Sequence, residues 1–493
     1  MTTGAGPVLS LDTFDAGVVD ALRRLAALPG DVPVWLVGGA VRDALLGRAV
    51  TEVDVAIAGS AGALGRALAD ATPGAGFVVL DEERDACRVV SDVDVDLARL
   101  RAAALADDLR GRDFTVNALA VDLRRLVREG GAAIADVTGG LADLAARRVR
   151  PCAPSALAAD PARVLRAVRL AVRLGWALDA ALQGALREAA PMVSAVSAER
   201  VRAELVAILA EPSAGRGLRL LDDVGALPIL LPESMPMRET PQSEPHRFDV
   251  WEHSLRAVEA ADRIVAELDA LEPWGADLAA HLGEPLGDDV TRREALKLAA
   301  LLHDVAKPET RSVDRGRVRF FGHDVRGAER AAAVAHRWRL SRRAGAVVER
   351  LVAQHLRPMH LGNAGGITRR ARYRFFRDLG EDARDLVLLA LADASAVRGD
   401  LPMAVWSGPG GSILRELMRG AGEEERAAAT PPLLRGGDVM AALGLAPGRE
   451  VGRLLERVRE AQALGLVGTA EEALELLRRE QTARPLDTSG GGS

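Results

Sequence analysis

Cysteine is nearly absent: Cys87 and Cys152 stand alone in a chain of 493 residues. Two thiols cannot build a disulfide framework or a four-thiolate zinc site, and their scarcity fits a reducing interior. Lysine occurs only at Lys297 and Lys307, so almost all positive charge is arginine, and a single arginine in so Ala- and Arg-rich a chain carries little functional information. Aromatic residues make up 3% against 48% hydrophobic residues overall, which leaves Ala, Leu and Val to fill the cores and favours helices. The net charge of −6 excludes a whole-molecule field that attracts nucleic acid, so any such site must be local. No apolar run reaches the roughly 20 residues needed to cross a bilayer, and the opening MTTGAGPVLSLDTF lacks the charged-then-apolar pattern of a signal peptide. These absences predict a soluble, cytoplasmic protein with no membrane partner. Its length predicts roughly three or four domains.

What is present is organised around residues 33–58, PVWLVGGAVRDALLGRAVTEVDVAIA. The pattern reads as strand, glycine turn, short helix, strand. Gly38 and Gly39 let the backbone turn sharply and approach a ligand, the helix start offers N–H groups to phosphate, and Arg42 adds a fixed charge there. Alternation along the second strand puts Glu52 and Asp54 on one face, where they can share divalent ions, the usual apparatus for attack on a nucleoside triphosphate. Further on, Asp92, Asp94 and Asp96 alternate with Val93, Val95 and Leu97, which offers Asp94 or Asp96 as a third carboxylate. The competing readings are an ordinary tight turn and solvated strand faces.

An amphipathic helix is predicted over residues 12–28, with Phe14, Val18, Leu22 and Leu25 at helical spacing. From Asp160 onward strand signals fade, and Leu165, Val168, Val172, Leu182, Leu186, Val201, Leu205 and Ile208 fall at helical intervals. Pro228, Pro232, Pro236, Pro241 and Pro245 mark a linker. The predicted organisation is an α/β head over 1–150, a helical neck over 151–230, a proline-rich linker over 231–245, and a helical domain over 246–406. A helical tail over 407–482 and a flexible terminus over 483–493 follow, and residues 273–291 read as an exposed loop. In the neck, Asp160 and Arg163 can present an acceptor and a donor to a nucleobase, or form a helix cap and an intrahelical ion pair. Arg163, Arg166, Arg169 and Arg173 recur every three or four residues and suit phosphates, or a solvated face.

The ordered blocks LVGGAVRDALLG, GRDFTVNALAVD, DVTGGLADL (136–144), DPARVLRAVR (160–169) and SAER (197–200) resemble the bacterial-type (class II) tRNA nucleotidyltransferase and poly(A) polymerase family, within the DNA polymerase β-like superfamily. The resemblance implies a multidomain α/β plus all-α fold, with a small mixed sheet in the head. It implies template-independent addition of C, A or both from CTP and ATP to the 3′ end of tRNA, with pyrophosphate leaving; poly(A) polymerases share the same motifs. Mg²⁺ would be held by Glu52, Asp54 and a third acid, for which Asp96 is preferred. Gly38, Gly39 and Arg42 would seat phosphates. Arg112, Asp113 and Asn117 match positions that hold the triphosphate and ribose, and Asp160 and Arg163, with Arg166 beside them, match the base-reading helix.

All eight histidines follow residue 245. WEHSL (251–255), LLHDVAKP (301–308), GHD (322–324), QHL (354–356) and ADA (392–394) resemble the HD-domain metal-dependent phosphohydrolase family. His253, His303, Asp304 and Asp393 match its basic set for a divalent transition metal; His323 and His355 match positions used with a second metal. Lys307 would contact a substrate phosphate or cap a helix, and His281, His336 and His360 read as packed residues. Three departures stand out. Glu52 replaces the usual first Asp of an Asp-x-Asp pair, and a displacement of about 1 Å at a reacting centre can lower a rate roughly 100-fold. Ala159 replaces an acid ahead of Asp160. Residues 98–111 form a short connection, as in the branch that adds only CC, whereas members that build all of CCA carry a longer one. A rival from another class is an HD phosphohydrolase with a non-catalytic RNA-binding head.

Overall fold

Alternating apolar residues drive the head. In the computed structural model, which describes residues 7–363, 366–428 and 431–482, Val53, Val55 and Ile57 turn inward from one strand while Glu52 and Asp54 face away. The predicted flexible terminus 483–493 lies outside the described residues. The chain divides into two compact units, residues 1–211 with 216–232 and residues 212–215 with 233–493.

The first unit carries an eight-stranded mixed sheet: β1 (Val8–Ser10), β2 (Val34–Val37), β3 (Glu52–Ile57), β4 (Gly76–Asp81), β5 (Ala86–Val90), β6 (Asp94–Arg99), β7 (Leu119–Asp122) and β8 (Gly131–Asp136). Their order is β1-β8-β7-β2-β3-β6-β5-β4. Only β3 and β6 pair in parallel, in the register Glu52↔Asp94 and Asp54↔Asp96. Strand β6 starts at Asp94; Asp92 falls in the preceding bend, where Asp94 accepts the Ser91 N–H. Helix α1 (Ala16–Ala27) buries Val18, Leu22 and Leu25, and α2 (Gly38–Leu45) follows the glycine turn. In the neck, α3 (Ala162–Leu174) packs on α4 (Ala198–Ala210), burying Leu165, Val168, Leu205 and Ile208.

The second unit is built on α5 (Val250–Ala266), α6 (Arg292–Leu302), α7 (His323–Arg337), α8 (Arg342–Gln354) and α9 (Asp382–Arg398). Two sequence expectations need correcting in detail. Residues 273–291 are not an exposed loop: Gly275–Leu282 is a helix, and Pro285–Gly287 pairs with Val290–Thr291. Leu278 and Leu282 sit four apart and face inward with Leu286 and Val290, while Asp288 and Asp289 take positive φ to close the turn. Within the proline-rich stretch 231–245, Ser234–Arg238 forms a short helix anchored by buried Met237. The tail has its own apolar cluster of Leu434, Val439, Val451, Leu454, Val458 and Leu477. No helix among the described residues is long and apolar enough to cross a membrane.

Candidate active site and metal centre

The head site begins at the glycine turn. Gly38 has φ +70°, and a Cβ there would lie 2.6 Å from Asp54 Oδ2, so both conformation and space require glycine. The Gly39 N–H donates to the same Oδ2 at 3.0 Å. The register Val37↔Asp54↔Asp96↔Arg88 lays one row across β2, β3, β6 and β5. Arg88 forks onto Asp96 at 2.6 and 2.7 Å and stands 3.7 Å from Glu52 and 4.0 Å from Asp94. Those three carboxylates thus share one guanidinium, whereas Asp54 beside them makes no ion pair among the described residues and feels Arg112 only at longer range. Burial, then the charge of Glu52, pushes the Asp54 carboxyl up to about 6, against the pull of the Gly39 N–H; Asp96 adds to the rise. Such an excess of acid charge on hard oxygen donors fits Mg²⁺.

The other expected nucleotide-binding residues form one polar chain. Arg42 is buried, with two nitrogens on Asp43 at 2.9 and 2.8 Å and a third on Asn117 Oδ1 at 2.5 Å. Arg173 reaches Asp43 from α3 at 3.3 Å. Asn117 donates to Asp113 Oδ1 at 3.3 Å, and the same oxygen accepts the Phe114 N–H. Asp113 Oδ2 faces Arg166 at 3.4 Å, and Arg166 continues to Glu204 at 2.9 Å, which Arg169 also meets at 2.8 Å. Arg112 pairs with buried Asp108 at 3.1 Å. Asp160 precedes α3, accepts from Arg200 at 2.8 Å and lies 3.8 Å from Arg163. Arg163 in turn donates to the carbonyls of Ala156 and Gly111. Sequence reasoning missed Arg88 and Glu204: one arginine carries no signal in this composition, and no local pattern predicts which strand or helix faces it.

In the second unit, His253 on α5, His303 and Asp304 just after α6, His323 opening α7, His355 just after α8 and Asp393 on α9 converge. The Nδ1 atoms of His303, His323 and His355 lie 2.9, 2.6 and 2.7 Å from the carbonyls of Ala300, Phe320 and Val352. Donation to these carbonyls assigns the proton to Nδ1 and leaves Nε2 as the ligand atom. Two pairs of Nε2 atoms then face one another, His253 with His303 at 3.2 Å and His323 with His355 at 3.1 Å. Facing lone pairs repel unless a cation or proton lies between them, and imidazole with carboxylate suits a divalent transition metal. Asp304 lies 3.2, 3.6, 3.3 and 3.7 Å from His303, His253, His323 and His355, and so belongs to both triads. Asp393 lies 3.0 Å from His253, and Lys307 bridges Asp304 at 2.6 Å and Gln242 at 2.7 Å.

Burial acts against charge on His303, but Asp304 and Asp393 outweigh it and hold the pKa at about 10. Burial, with His303 beside it, pushes His355 down to about 4. Burial also opposes charge on Asp304 and Asp393, yet the neighbouring histidines hold both well below the usual carboxylate range. Sequence reasoning passed over His246, whose ring centroid is 5.3 Å from that of His253 and whose pKa falls to about 4 through burial and then Lys307. His281, read as a packed residue, meets Asp385 at 2.9 Å.

Comparison with known proteins decides the family. The A-adding tRNA nucleotidyltransferase of Deinococcus radiodurans is 38% identical over 467 residues, which cover 93% of this chain and 98% of that protein. The chain belongs to the tRNA nucleotidyltransferase family. A CC-adding tRNA nucleotidyltransferase of Thermus thermophilus is 36% identical over 92% of this chain and 95% of its own. Residues 34–150 match the poly A polymerase head domain, 175–237 the probable RNA and SrmB-binding site of polymerase A, and 250–397 the HD domain. A solved CCA-adding enzyme, apo form I, shares the fold with a TM-score of 0.62 at 19% identity, over 98% of each chain. This nucleotidyltransferase therefore combines the head and HD units expected from its motifs.

Proposed function

We propose that this nucleotidyltransferase works in the cytoplasm, transferring C or A from CTP or ATP to the 3′ end of tRNA with release of pyrophosphate. The observation that carries the reading is the row of acids on β3 and β6 beneath the Gly38-Gly39 turn. Mg²⁺ held by Glu52, Asp54 and Asp96 supplies neutralisation of the triphosphate and a more acidic attacking hydroxyl. The Gly39 N–H keeps Asp54 aimed across the turn, and Gly38 leaves room for its carboxylate. Asp160, steadied by Arg200, and Arg163 offer the acceptor and donor that read a base. Arg42, Asn117, Asp113, Arg166 and Glu204 fix α3 against the head, so that the base-reading pair keeps its distance from the acids. The short connection over 98–111 favours CC addition.

The test incubates the chain with a tRNA transcript lacking CCA, each labelled NTP and Mg²⁺, and sequences the 3′ ends. Added CC supports the favoured product; A or CCA keeps the transfer and corrects its extent, and a long A-tail assigns poly(A) polymerase instead. Absence of incorporation with any NTP, unrelieved by Glu52→Asp, sinks the transfer reading. Arg88 gives a second prediction. Because its guanidinium competes with a cation for Asp96, Arg88→Met is expected to tighten Mn²⁺ binding at the head by about tenfold or more. Difference calorimetry of the two full-length proteins reads this, and equal affinities would refute the competition.

The facing imidazole pairs favour a second activity, phosphoester hydrolysis in the HD unit. A divalent transition metal held there supplies a water acidic enough to attack phosphorus. Lys307, held by Asp304 and Gln242, would meet the phosphate. Metal-dependent release of p-nitrophenol from its phosphate ester, absent in His303→Ala, is the readout.

A further inference from the structure

We propose that the hairpin of Arg311–Asp314 and Arg317–Phe320, together with Phe321, is a docking element for single-stranded RNA. The segment is RSVDRGRVRFF, four arginines against one aspartate, in a protein whose net charge is −6. Arg311, Arg315, Arg317 and Arg319 are all exposed, and none of the four forms an ion pair among the described residues. Four unmatched arginines on a single ribbon form a local positive field in a protein whose net charge is negative.

The register defines two faces. Ser312↔Arg319 and Asp314↔Arg317 place Arg317 and Arg319 on one face, with Ser312 and Asp314, while Arg311↔Phe320 and Val313↔Val318 make up the opposite face, on which Val318 and Phe320 are half-buried. Arg315 and Gly316 take positive φ, 49° and 78°, which closes the ribbon with a tight two-residue turn and holds the basic tip in place. The inner face is anchored: the Val318 N–H donates to Ser243 Oγ at 3.2 Å, and the Phe320 ring lies 5.4 Å from Lys307 Nζ. Phe320 also meets His323 of the metal centre edge-on at 6.5 Å between centroids. The ribbon thus stands at the rim of that centre with its charged face to solvent.

Phe321 is 74% exposed, and Val313 and Val325 are 62% and 61% exposed. Folding gains nothing from leaving a phenyl ring in water among cations. Guanidinium groups that meet phosphates and an aromatic face that stacks an unpaired base are the two elements by which single strands are held without sequence preference. A duplex would satisfy the arginines but not the ring, because its bases are already stacked. The choice of RNA rather than an acidic protein rests on this interleaving of arginine with an aromatic residue. The inference is independent of the transfer and hydrolysis readings, since its test measures binding alone.

Full-length protein is titrated with a fluorescent 12-nucleotide oligo(U) across a range of KCl, and a 4-thiouridine version is crosslinked and mapped. The crosslink is expected in the peptide containing Phe321. The triple substitution R315S/R317S/R319S should weaken binding at least tenfold and lower the slope of log affinity against log salt by about 2, at about 0.7 for each phosphate no longer neutralised. Phe321→Ala should weaken binding about fivefold or more with the slope unchanged. Wild-type affinity in both variants overturns the proposal, as does a crosslink confined to other peptides. Equal competition by duplex RNA, or stronger competition by poly-glutamate than by oligo(A), overturns it in favour of a general anion surface or a protein partner.

Discussion

Asp54→Asn is expected to abolish nucleotide transfer and, at the same time, to stabilise the protein. The loss of activity follows from deleting a carboxylate central to the row of acids, where metal charge on the triphosphate is worth several kcal/mol, or roughly 1,000-fold in rate. The gain in stability follows from electrostatics. Asp54 is pushed up to about 6 because burial and then Glu52 disfavour its charge, with Asp96 adding to the effect. An acid whose folded pKa exceeds its unfolded value binds its proton more tightly when folded. Stability therefore falls as pH rises from about 4 to about 6, and the whole penalty is present above that window. Asparagine removes the charge and keeps an oxygen to accept the Gly39 N–H. With Asp54 half-buried, the gain at pH 7.5 in chelator should be on the order of 1–2 kcal/mol, a few degrees in melting temperature. It should vanish below about pH 3, where the wild-type acid is protonated in both states. A variant that melts below wild type at pH 7.5 would show that the carboxylate holds the turn together and is no electrostatic burden.

That prediction draws on features of unequal legibility. Local pattern was enough for Gly38, whose turn is written in the strand-Gly-Gly-helix order, and for Glu52 and Asp54, whose shared face follows from alternation. The strands of the head and the helical remainder were legible for the same reason, because Val, Leu and Ala recur at periods of two or of three to four, whereas the mixed pairing of the sheet was implied only by the resemblance of the motifs. What lay across the sheet was not. Asp96 stands opposite Asp54 and Asp94 opposite Glu52 only through the β3–β6 register, and Arg88 enters only because β5 returns beside β6. At Arg42 the sequence offers a fixed charge at a helix start, and only the fold adds that Asp43 and Asn117 take up its donors in a buried setting. The loop expected over 273–291 shows the complementary error, where turn-forming Gly, Pro and Asp masked the inward pair Leu278 and Leu282. The histidine set was legible as motifs. Its central fact, one carboxylate within reach of four imidazoles, needed the helices in place.

Asp304→Asn should have the opposite thermodynamic sign to Asp54→Asn, and should empty both metal positions at once. Asp304 is common to the two triads, whereas His253 serves one and His355 the other. His355→Ala is thus expected to retain one ion per chain, while Asp304→Asn retains none under the same dialysis, read by elemental analysis. The stability argument concerns chelated protein. Asp304 is buried between His303, held protonated with a pKa of about 10, and the Lys307 ammonium 2.6 Å away. The amide leaves those cations facing each other with Asp393 as the remaining acid, and breaking a buried pair by removing one partner costs about 3–5 kcal/mol. Melting should fall by several degrees at neutral pH, and the deficit should shrink as pH rises through 10 and His303 loses its proton. The same chemical change, acid to amide, is thus destabilising where the acid is matched with cations and stabilising where acids are in excess. If Asp304→Asn melts with or above wild type in chelator, His303 is neutral in the folded protein, and the pairing of Asp304 with two cations is wrong.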